Sequence, residues 1–216
     1  IGDSVFSQIL QKITVGMTER HLANEIDYGI GCLNAKASFS TIVAFGSNAA
    51  HPHHVPTERK LKKQDIILLD FGVKKNGYCS DMSRTIFFGR ATEEQKKAYR
   101  TVLLSQQKAI SYLSKQLALE KHVAAGQPHE EANAALIESN HPSLPHALGH
   151  GIGIEVHESP VLSPNITDLL IEDMVFSIEP GIYLPGKFGI RIEDLFVIKN
   201  NKLLQLTNAS KEIIEI

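Results

Sequence analysis

The stretch Ile66–Thr85 constrains the fold most, because it places two acids on neighbouring strands of one predicted β-hairpin. Two apolar runs rich in β-branched residues flank the sequence KKNG, whose Asn76-Gly77 pair favours a tight two-residue turn. Asp70 ends the first run, and Asp81 interrupts the second. The midpoint between these acids falls within KKNG, so a symmetric hairpin would place Asp70 directly opposite Asp81 on one face.

Directly opposed residues of such a hairpin have Cβ atoms roughly 4.5 to 5.5 Å apart. Two carboxylates at that distance in apolar surroundings repel each other. One of them is then protonated, or the register differs from the symmetric one, or a cation lies between them. A single acid in a strand is more commonly an edge residue or half of a surface ion pair, so the hairpin alone does not show whether a cation binds there.

The second half of the sequence repeats this arrangement. Glu179 ends an apolar run, Glu193 lies on the predicted return strand, and the midpoint between them is Gly186 in the turn-like sequence YLPGKFG. The segments GMTERHLAN and GQPHEEAN also resemble each other loosely. We therefore expect one domain, 1–216, made of two pseudo-repeats of about 1–105 and 106–216, with four carboxylates converging at a pseudo-two-fold axis.

Four converging carboxylates need positive charge to offset their repulsion. Oxygen ligands favour a hard or borderline divalent ion, so we expect Mn²⁺, with Co²⁺, Zn²⁺ or Fe²⁺ as alternatives. Bridging carboxylates favour two ions, and a two-metal site of this kind is typical of hydrolytic enzymes.

The glycine-rich segment HALGHGIGIEVHE offers histidines that could complete the site. His150 lies between two glycines, which would let a metal centre approach the backbone, although tight strand packing is the simpler interpretation. His146 and His157 lie nearby in the sequence. Strict alternation would put His150 and His157 on opposite faces of a strand, so both reach one site only if the strand contains a bulge or bend.

The rest of the chain predicts helices mixed with strands, an α+β pattern. Thr18 and Thr92 are candidate helix N-caps, and Gln95 completes a capping box with Thr92. The predicted helices cover 3–13, 18–33, 92–119 and 129–139, and Gly126 and Pro128 are expected to break the third. The predicted strands include SFSTIVAFGS, EDMVFSIEPGIYL and GIRIEDLFVI.

Composition limits the classes of function. The chain has 216 residues, 43% of them hydrophobic, and a net charge of −2, so it can bury a core and has no basic excess for nucleic acid. Two cysteines without a CxxC pair favour a reducing, cytoplasmic location, and no apolar run approaches the ~18 residues of a membrane span. The chain begins with Ile1 rather than Met, where a helix is already under way, so we expect that a preceding segment has been removed.

The motifs AAHPHH, LLDFG, GYCSDMSRT, GHGIGIEVHE, SIEPGIY and GIRIED together resemble those of the pita-bread metallopeptidase family, the creatinase/prolidase/methionine aminopeptidase superfamily. The resemblance is to its Xaa-Pro dipeptidase (prolidase) and aminopeptidase P branch, and it covers essentially all 216 residues. It implies pseudo-two-fold duplicated α/β halves with a curved, mainly antiparallel sheet covered by helices. It also implies a homodimer of the full-length protein and an N-terminal domain that these residues do not include.

The resemblance assigns roles to individual residues. It implies five metal ligands, with Asp81 and Glu193 contacting both ions: Asp70, Asp81, His150, Glu179 and Glu193. It also implies four substrate-binding residues, of which Arg191 could instead hold a carboxylate: His53, His146, His157 and Arg191. His51 and His54 have no counterpart role.

The reaction implied is hydrolysis of the peptide bond preceding proline by a metal-bridging hydroxide. In this scheme Glu179 accepts the water proton and returns it to the leaving nitrogen. His53 and His157 stabilise the tetrahedral intermediate. The substrate is a peptide with proline at its second position.

Three alternatives remain at this point. A methionine aminopeptidase has the same ligand layout, but we do not expect there the pattern of Arg191 two residues before Glu193. A metal-free relative, such as a creatine-hydrolysing enzyme or a binding module, would be expected to have lost ligands. A two-metal phosphatase would need an additional basic cluster for phosphate, which the sequence near the ligands lacks.

Overall fold

The computed structural model describes residues 1–216 and contains four α-helices, a short 3-10 helix and fifteen strands. The helices are α1 (Gly2–Ile9), α2 (Glu19–Cys32), α3 (Glu93–Ala118) and α4 (Gln127–Glu138), and the 3-10 helix spans Gly46–Ala50. The strands are β1 (Lys36–Ala37), β2 (Ile42–Phe45), β3 (Ile66–Asp70), β4 (Val73–Lys75), β5 (Tyr78–Cys79), β6 (Ser83–Phe87), β7 (Val123–Ala124), β8 (Gly149–Gly151), β9 (Glu158–Leu162), β10 (Leu169–Leu170), β11 (Val175–Ile178), β12 (Gly181–Leu184), β13 (Phe188–Arg191), β14 (Asp194–Lys199) and β15 (Lys202–Gln205).

The sheets are built from antiparallel neighbours. The larger sheet has the order β15-β14-β11-β8-β9, and a three-stranded sheet has the order β2-β3-β6. Smaller ladders are β1-β4-β5, β12-β13 and β7-β10, and every pair of strands is antiparallel. Helices packed on antiparallel sheets confirm the predicted α+β class.

Three hydrophobic clusters form the core. One joins α1 and α2 to β2 and β3, the second joins α3 to β12 and β13, and the third joins α3 and α4 to β11 and β14. The buried residues of α2 recur at helical spacing, as Leu22, Ile26 and Ile30. The helices thus cover the sheets and leave the strand ends free to form a site.

The predicted helix caps are confirmed. Thr18 accepts a hydrogen bond from the backbone of His21, and Thr92 and Gln95 form a reciprocal capping box. Helix α1 ends at Ile9, earlier than predicted, and continues as a turn. Pro128 lies in the first turn of α4, where a missing N–H costs nothing, so it begins that helix and does not end α3.

The first hairpin differs from the symmetric one by two residues. Asp70 pairs with Ser83, and this register centres the hairpin between Asn76 and Gly77. Both turn residues have positive φ, 53° and 89°, as a two-residue type I′ turn requires. The prediction that Asp70 faces Asp81 directly is therefore wrong. The two acids are diagonal neighbours, which period-two alternation still places on the same face.

The second hairpin has the predicted register. Gly181 pairs with Arg191 on one side of the two glutamates, and Ile178 pairs with Asp194 on the other. This register places Glu179 opposite Glu193. Gly186 lies in the turn with a φ of 75°. The two ladders share one register on either side of the glutamates, and this register brings Glu179 and Glu193 together.

The boundary predicted between the pseudo-repeats, near residue 105, lies within helix α3. The division into repeats stays a prediction. Among the helices of the structure, none has both the length and the apolar character needed to cross a membrane.

Candidate metal centre

A cavity of about 590 Å³ opens where the ends of these strands meet. It is lined by all nine of the predicted site residues: His53, Asp70, Asp81, His146, His150, His157, Glu179, Arg191 and Glu193. Apolar side chains, among them Phe39, Ile42 and Val161, form part of its wall. The structure therefore brings together all of the site residues predicted from the sequence, although some of them are more than a hundred positions apart.

The four carboxylates come from strand ends of both hairpins. Asp70 is the last residue of β3, and Asp81 lies two residues before β6. Glu179 directly follows β11, and Glu193 directly precedes β14. Asp81 and Glu193 are only 6% and 1% exposed, so their charges are almost fully withdrawn from water.

His150 lies on β8 with one ring nitrogen facing the carboxylates. Its Nδ1 donates to the carbonyl of Gly151 at 3.0 Å, which leaves Nε2 unprotonated as an acceptor. Nε2 is 3.3 Å from Oε1 of Glu179 and 3.7 Å from Oδ2 of Asp81. Burial lowers the pKa of His150, so the neutral imidazole that a metal requires is favoured.

The glycines beside His150 permit close approach of neighbouring strands. A Cβ on Gly149 would lie 1.9 Å from the carbonyl oxygen of Ser177, and one on Gly151 would lie 2.1 Å from that of Ser159. The strand register also shifts between His150 and Gly151. This irregularity supplies the bulge on which the sequence prediction depended.

His157 reaches the same cavity because of that irregularity. The rings of His150 and His157 contact each other edge to face with centroids 4.3 Å apart. The segment between them is not a continuous strand, because β8 ends at Gly151 and β9 begins only at Glu158. The condition stated for both histidines to reach one site, a bulge or bend in the strand, is therefore met.

The donor set fits a divalent cation. Oδ1 of Asp70, Oδ1 of Asp81 and Oε1 of Glu193 are buried oxygens without any hydrogen-bond partner. Ligand atoms of Asp81, His150 and Glu193 lie within 4.8 Å of one another. Buried carboxylate oxygens are normally paired, so three unpaired ones on residues that line one cavity match the requirements of a metal site.

The protonation behaviour of the carboxylates supports the same interpretation. Burial, together with the charges of Glu193 and Asp70, raises the pKa of Asp81 well above its usual value. Burial and the charges of Glu179 and Asp70 do the same to the pKa of Glu193. Burial raises the pKa of Glu179 to about 7, although Arg191 opposes the shift. Without a cation, the cluster cannot carry its full negative charge at neutral pH.

Two serine hydroxyls orient the glutamates. Oγ of Ser83 donates to Oε2 of Glu193 at 2.9 Å and accepts from Nε of Arg191 at 2.8 Å. Oγ of Ser177 donates to Oε1 of Glu179 at 3.1 Å and accepts from the backbone N–H of His150 at 3.0 Å. Each hydroxyl receives one hydrogen bond, which fixes its own proton toward the carboxylate. Each serine lies two residues from an acid, Asp81 or Glu179, so period-two alternation is the sequence signal that places both serines on the same face as the ligands.

Arg191 has its hydrogen bonds committed to the protein. Nη2 donates to Oδ2 of Asp70 at 2.5 Å, and Nη1 donates to the hydroxyl of Tyr183 at 2.8 Å and the carbonyl of Pro52 at 3.3 Å. With Nε on Ser83, every nitrogen of the guanidinium has a partner. Of the two functions considered for Arg191, holding a carboxylate is the one that these contacts perform.

His146 also has both ring nitrogens engaged. Nδ1 donates to the carbonyl of Ala147 at 2.7 Å, so Nε2 accepts from the hydroxyl of Tyr183 at 2.9 Å. Burial lowers the pKa of His146 to about 4, with contributions from Arg191, and keeps the ring neutral. The sequence prediction missed Tyr183, which lies two residues beyond Gly181 and therefore on the same face as Glu179.

His53 is exposed at the open side of the cavity, on the loop that follows the 3-10 helix. His51, which the sequence left without a role, is exposed and does not line the cavity. His54 turns the other way and donates to the buried carboxylate of Glu19 at 2.8 Å. No sequence pattern indicated this contact, because the two residues are 35 positions apart.

The sequence profile of metallopeptidase family M24 matches residues 1–200. The chain belongs to this family. Solved structures agree with the assignment: the recombinant prolidase of Thermococcus sibiricus superposes with a TM-score of 0.94 at 40% identity, covering 99% of this chain and 57% of that one. The X-Pro aminopeptidase of Thermotoga maritima gives a TM-score of 0.94 at 34% identity, covering 100% and 60%.

Sequence relatives point the same way. The Xaa-Pro dipeptidase of Pyrococcus horikoshii is 35% identical over 216 residues, which is 99% of this chain and 60% of that protein. The chain thus spans about three fifths of the length of these relatives. The membership confirms the predicted pita-bread fold and the predicted branch, and it makes the cavity a candidate metallopeptidase site.

Proposed function

We propose that this M24 chain is the catalytic part of a dinuclear-metal hydrolase that cleaves peptide bonds preceding proline, as an Xaa-Pro dipeptidase or Xaa-Pro aminopeptidase. The observation that carries the proposal is the set of unpaired buried oxygens on Asp70, Asp81 and Glu193 around a neutral His150. The names of its relatives, prolidase, Xaa-Pro dipeptidase and X-Pro aminopeptidase, supply the substrate class.

Five side chains would hold two divalent ions, with Mn²⁺ the first candidate: Asp70, Asp81, His150, Glu179 and Glu193. The ions, when bound, would activate water at neutral pH and polarise the scissile carbonyl. An oxygen-dominated ligand set with one imidazole is compatible with Mn²⁺, Co²⁺, Fe²⁺ or Zn²⁺.

The remaining residues would act on the substrate and on protons. Glu179, whose side chain is 18% exposed to the cavity, would accept the proton of the attacking water and return it to the proline nitrogen. His53 and His157 would donate hydrogen bonds to the oxygen on which negative charge develops. His146 would contact the substrate only if it exchanged its hydrogen bond with Tyr183. Arg191 would act on the substrate indirectly, by holding Asp70.

The location and assembly are part of the same proposal. A net charge of −2 and two unpaired cysteines favour a reducing cytoplasmic setting. The full-length protein would be a homodimer that acts on peptides with proline at the second position.

A substrate panel tests the specificity. Metal-stripped protein would be reconstituted with Mn²⁺, Co²⁺ or Zn²⁺ and assayed on Ala-Pro, Ala-Pro-Ala, Ala-Ala and Met-Ala-Ser. The proposal predicts cleavage of one or both proline peptides and negligible cleavage of Ala-Ala. Preferential cleavage of Met-Ala-Ser would identify a methionine aminopeptidase instead, and inactivity on all four peptides with every metal would favour a binding module.

A further inference from the structure

The position of His53 depends on the backbone of its loop. The imidazole is exposed, and it forms no hydrogen bond with another group of the protein. His53 lies in a turn that closes through a hydrogen bond of 3.1 Å from the N–H of His54 to the carbonyl of His51. Whatever fixes this turn therefore decides where the His53 ring can lie in the cavity.

The loop is attached to a buried carboxylate on another element. Glu19, the first residue of α2, has 0% exposure and accepts hydrogen bonds from five donors. Oε1 accepts from the N–H of Phe45 at 2.8 Å and from Nδ2 of Asn48 at 2.9 Å. Oε2 accepts from Nε2 of His54 at 2.8 Å and from the N–H and hydroxyl of Thr57 at 3.0 and 2.6 Å.

The five donors belong to residues on both sides of His53 in the sequence. Phe45 and Asn48 precede His53, whereas His54 and Thr57 follow it. On its other side the loop is held by Arg191, which donates to the carbonyl of Pro52 at 3.3 Å. The residue that precedes His53 thus contacts the metal-site arginine, and the residue that follows it contacts Glu19.

A carboxylate is expensive to bury, and this one is retained with a complete set of partners. An unpaired buried charge is strongly destabilising, so such groups persist only where their hydrogen bonds are satisfied. Hydrogen bonds from Thr57 and His54 hold the pKa of Glu19 below its usual value even though burial acts to raise it. The N-terminus of α2 adds a favourable dipole.

We propose that Glu19 is a positioning residue for His53, fixing the loop that presents this imidazole to the cavity. The proposal rests on the proposed function, because it assigns His53 a part in the reaction. It distinguishes Glu19 from a residue that only stabilises the fold: its effect on catalysis must pass through His53.

Glu19→Gln is the principal test, and Glu25→Gln is its matched control. In either orientation of the new amide, its nitrogen would replace a carboxylate oxygen that accepts from a backbone N–H, that of Phe45 or that of Thr57. An amide nitrogen cannot accept that hydrogen bond. Glu25 lies on the same helix, but it forms only surface contacts, with Lys12 at 2.6 Å and His21 at 3.8 Å. Asn48→Ala is a milder second variant, because it removes one neutral donor and leaves the carboxylate paired.

The rates of Xaa-Pro hydrolysis are compared in wild-type and His53→Ala backgrounds. We expect Glu19→Gln to lower kcat/KM about tenfold or more in the wild-type background, since a small displacement of a positioned group is costly. In the His53→Ala background it should lower kcat/KM by less than about twofold, because a residue that acts through His53 has nothing left to act on. Metal content should equal that of wild type, and Asn48→Ala should show the same dependence with a smaller loss. Equal losses in the two backgrounds, or no loss, would overturn the proposal.

Hydrogen exchange provides a measurement that does not depend on activity. Amides of residues 46–57 should exchange faster in Glu19→Gln than in Glu25→Gln or wild type. Unchanged exchange would overturn the anchoring itself. Faster exchange in a protein whose wild type cleaves no Xaa-Pro peptide would confirm the anchor and overturn both the proposed function and the role of His53.

Discussion

Nη2 of Arg191 lies 2.5 Å from Oδ2 of Asp70, although the two residues are 121 positions apart. Asp70 ends a strand of the first hairpin, and Arg191 ends a strand of the second. Their ion pair is buried, with side chains 3% and 12% exposed. It therefore joins the two hairpins at the cavity and offsets part of the negative charge there.

Breaking this pair should destabilise the metal-free protein. Arg191→Met leaves Asp70 buried beside other carboxylates, and removing one partner of a buried pair typically costs about 3 kcal/mol or more in the free energy of unfolding. Urea denaturation of metal-stripped protein measures the change. Arg20→Met is the control, since Arg20 pairs with Glu58 at the surface and its removal should cost below about 1 kcal/mol. Equal effects of the two substitutions would contradict the role given to Arg191.

Metal binding should strengthen as pH rises. The pKa values of Asp81 and Glu193 are raised, and that of Glu179 is raised to about 7. Between the ordinary carboxyl pKa and neutral pH, the folded metal-free protein therefore holds protons that the unfolded chain releases. These groups therefore reduce the stability of the metal-free protein as pH rises through that window.

A divalent ion displaces those protons. The increase in Tm produced by Mn²⁺ should thus grow from about pH 5.5 to about pH 8. Calorimetric titration in two buffers of different ionisation enthalpy should show proton release at the lower pH. A Tm shift that is constant over this range, without proton release, would argue against metal binding by these carboxylates.

The serine hydroxyls should matter for metal affinity. Ser177→Ala removes the donor to Glu179 and leaves the N–H of His150 without its acceptor, and Ser83→Ala removes the donor to Glu193. Loss of such supporting groups typically weakens metal binding about 10-fold to 100-fold. Competition with a chelator gives the affinity, with the exposed loop variant Ser143→Ala as control. Affinities within twofold of the control would show that the glutamates need no such support.

The sequence predicted features that local chemistry determines. The capping box of Thr92 and Gln95 and the turn at Gly186 depend on neighbouring residues alone, and both occur as predicted. The predicted direct opposition of Asp70 and Asp81 is wrong, because the midpoint of the two acids is not the centre of the hairpin. The Asn76-Gly77 turn itself sets the centre, and it gives Asp70 the partner Ser83.

Long-range contacts were not predictable in the same way. The hydrogen bond between His54 and Glu19 depends on how a loop folds back over a helix, and no periodicity specifies that. Likewise, the bulge at His150 was required for His157 to reach the cavity, but its occurrence depends on the strand register around Gly151. Site membership could thus be inferred from motifs, whereas the positioning contacts emerged only from the fold.

The most direct test of the account is the recovery of activity when metal-stripped protein is titrated with Mn²⁺. Wild type should regain hydrolysis of an Xaa-Pro substrate as it binds two ions, while Asp81→Ala and His150→Ala should keep their fold and stay inactive. Such a centre contributes several kcal/mol to lowering the activation barrier, so its loss should reduce the rate by a factor of about 10³ or more. Turnover near the wild-type rate in either remetallated variant would contradict the assignment of this cavity as a metal-dependent peptidase site.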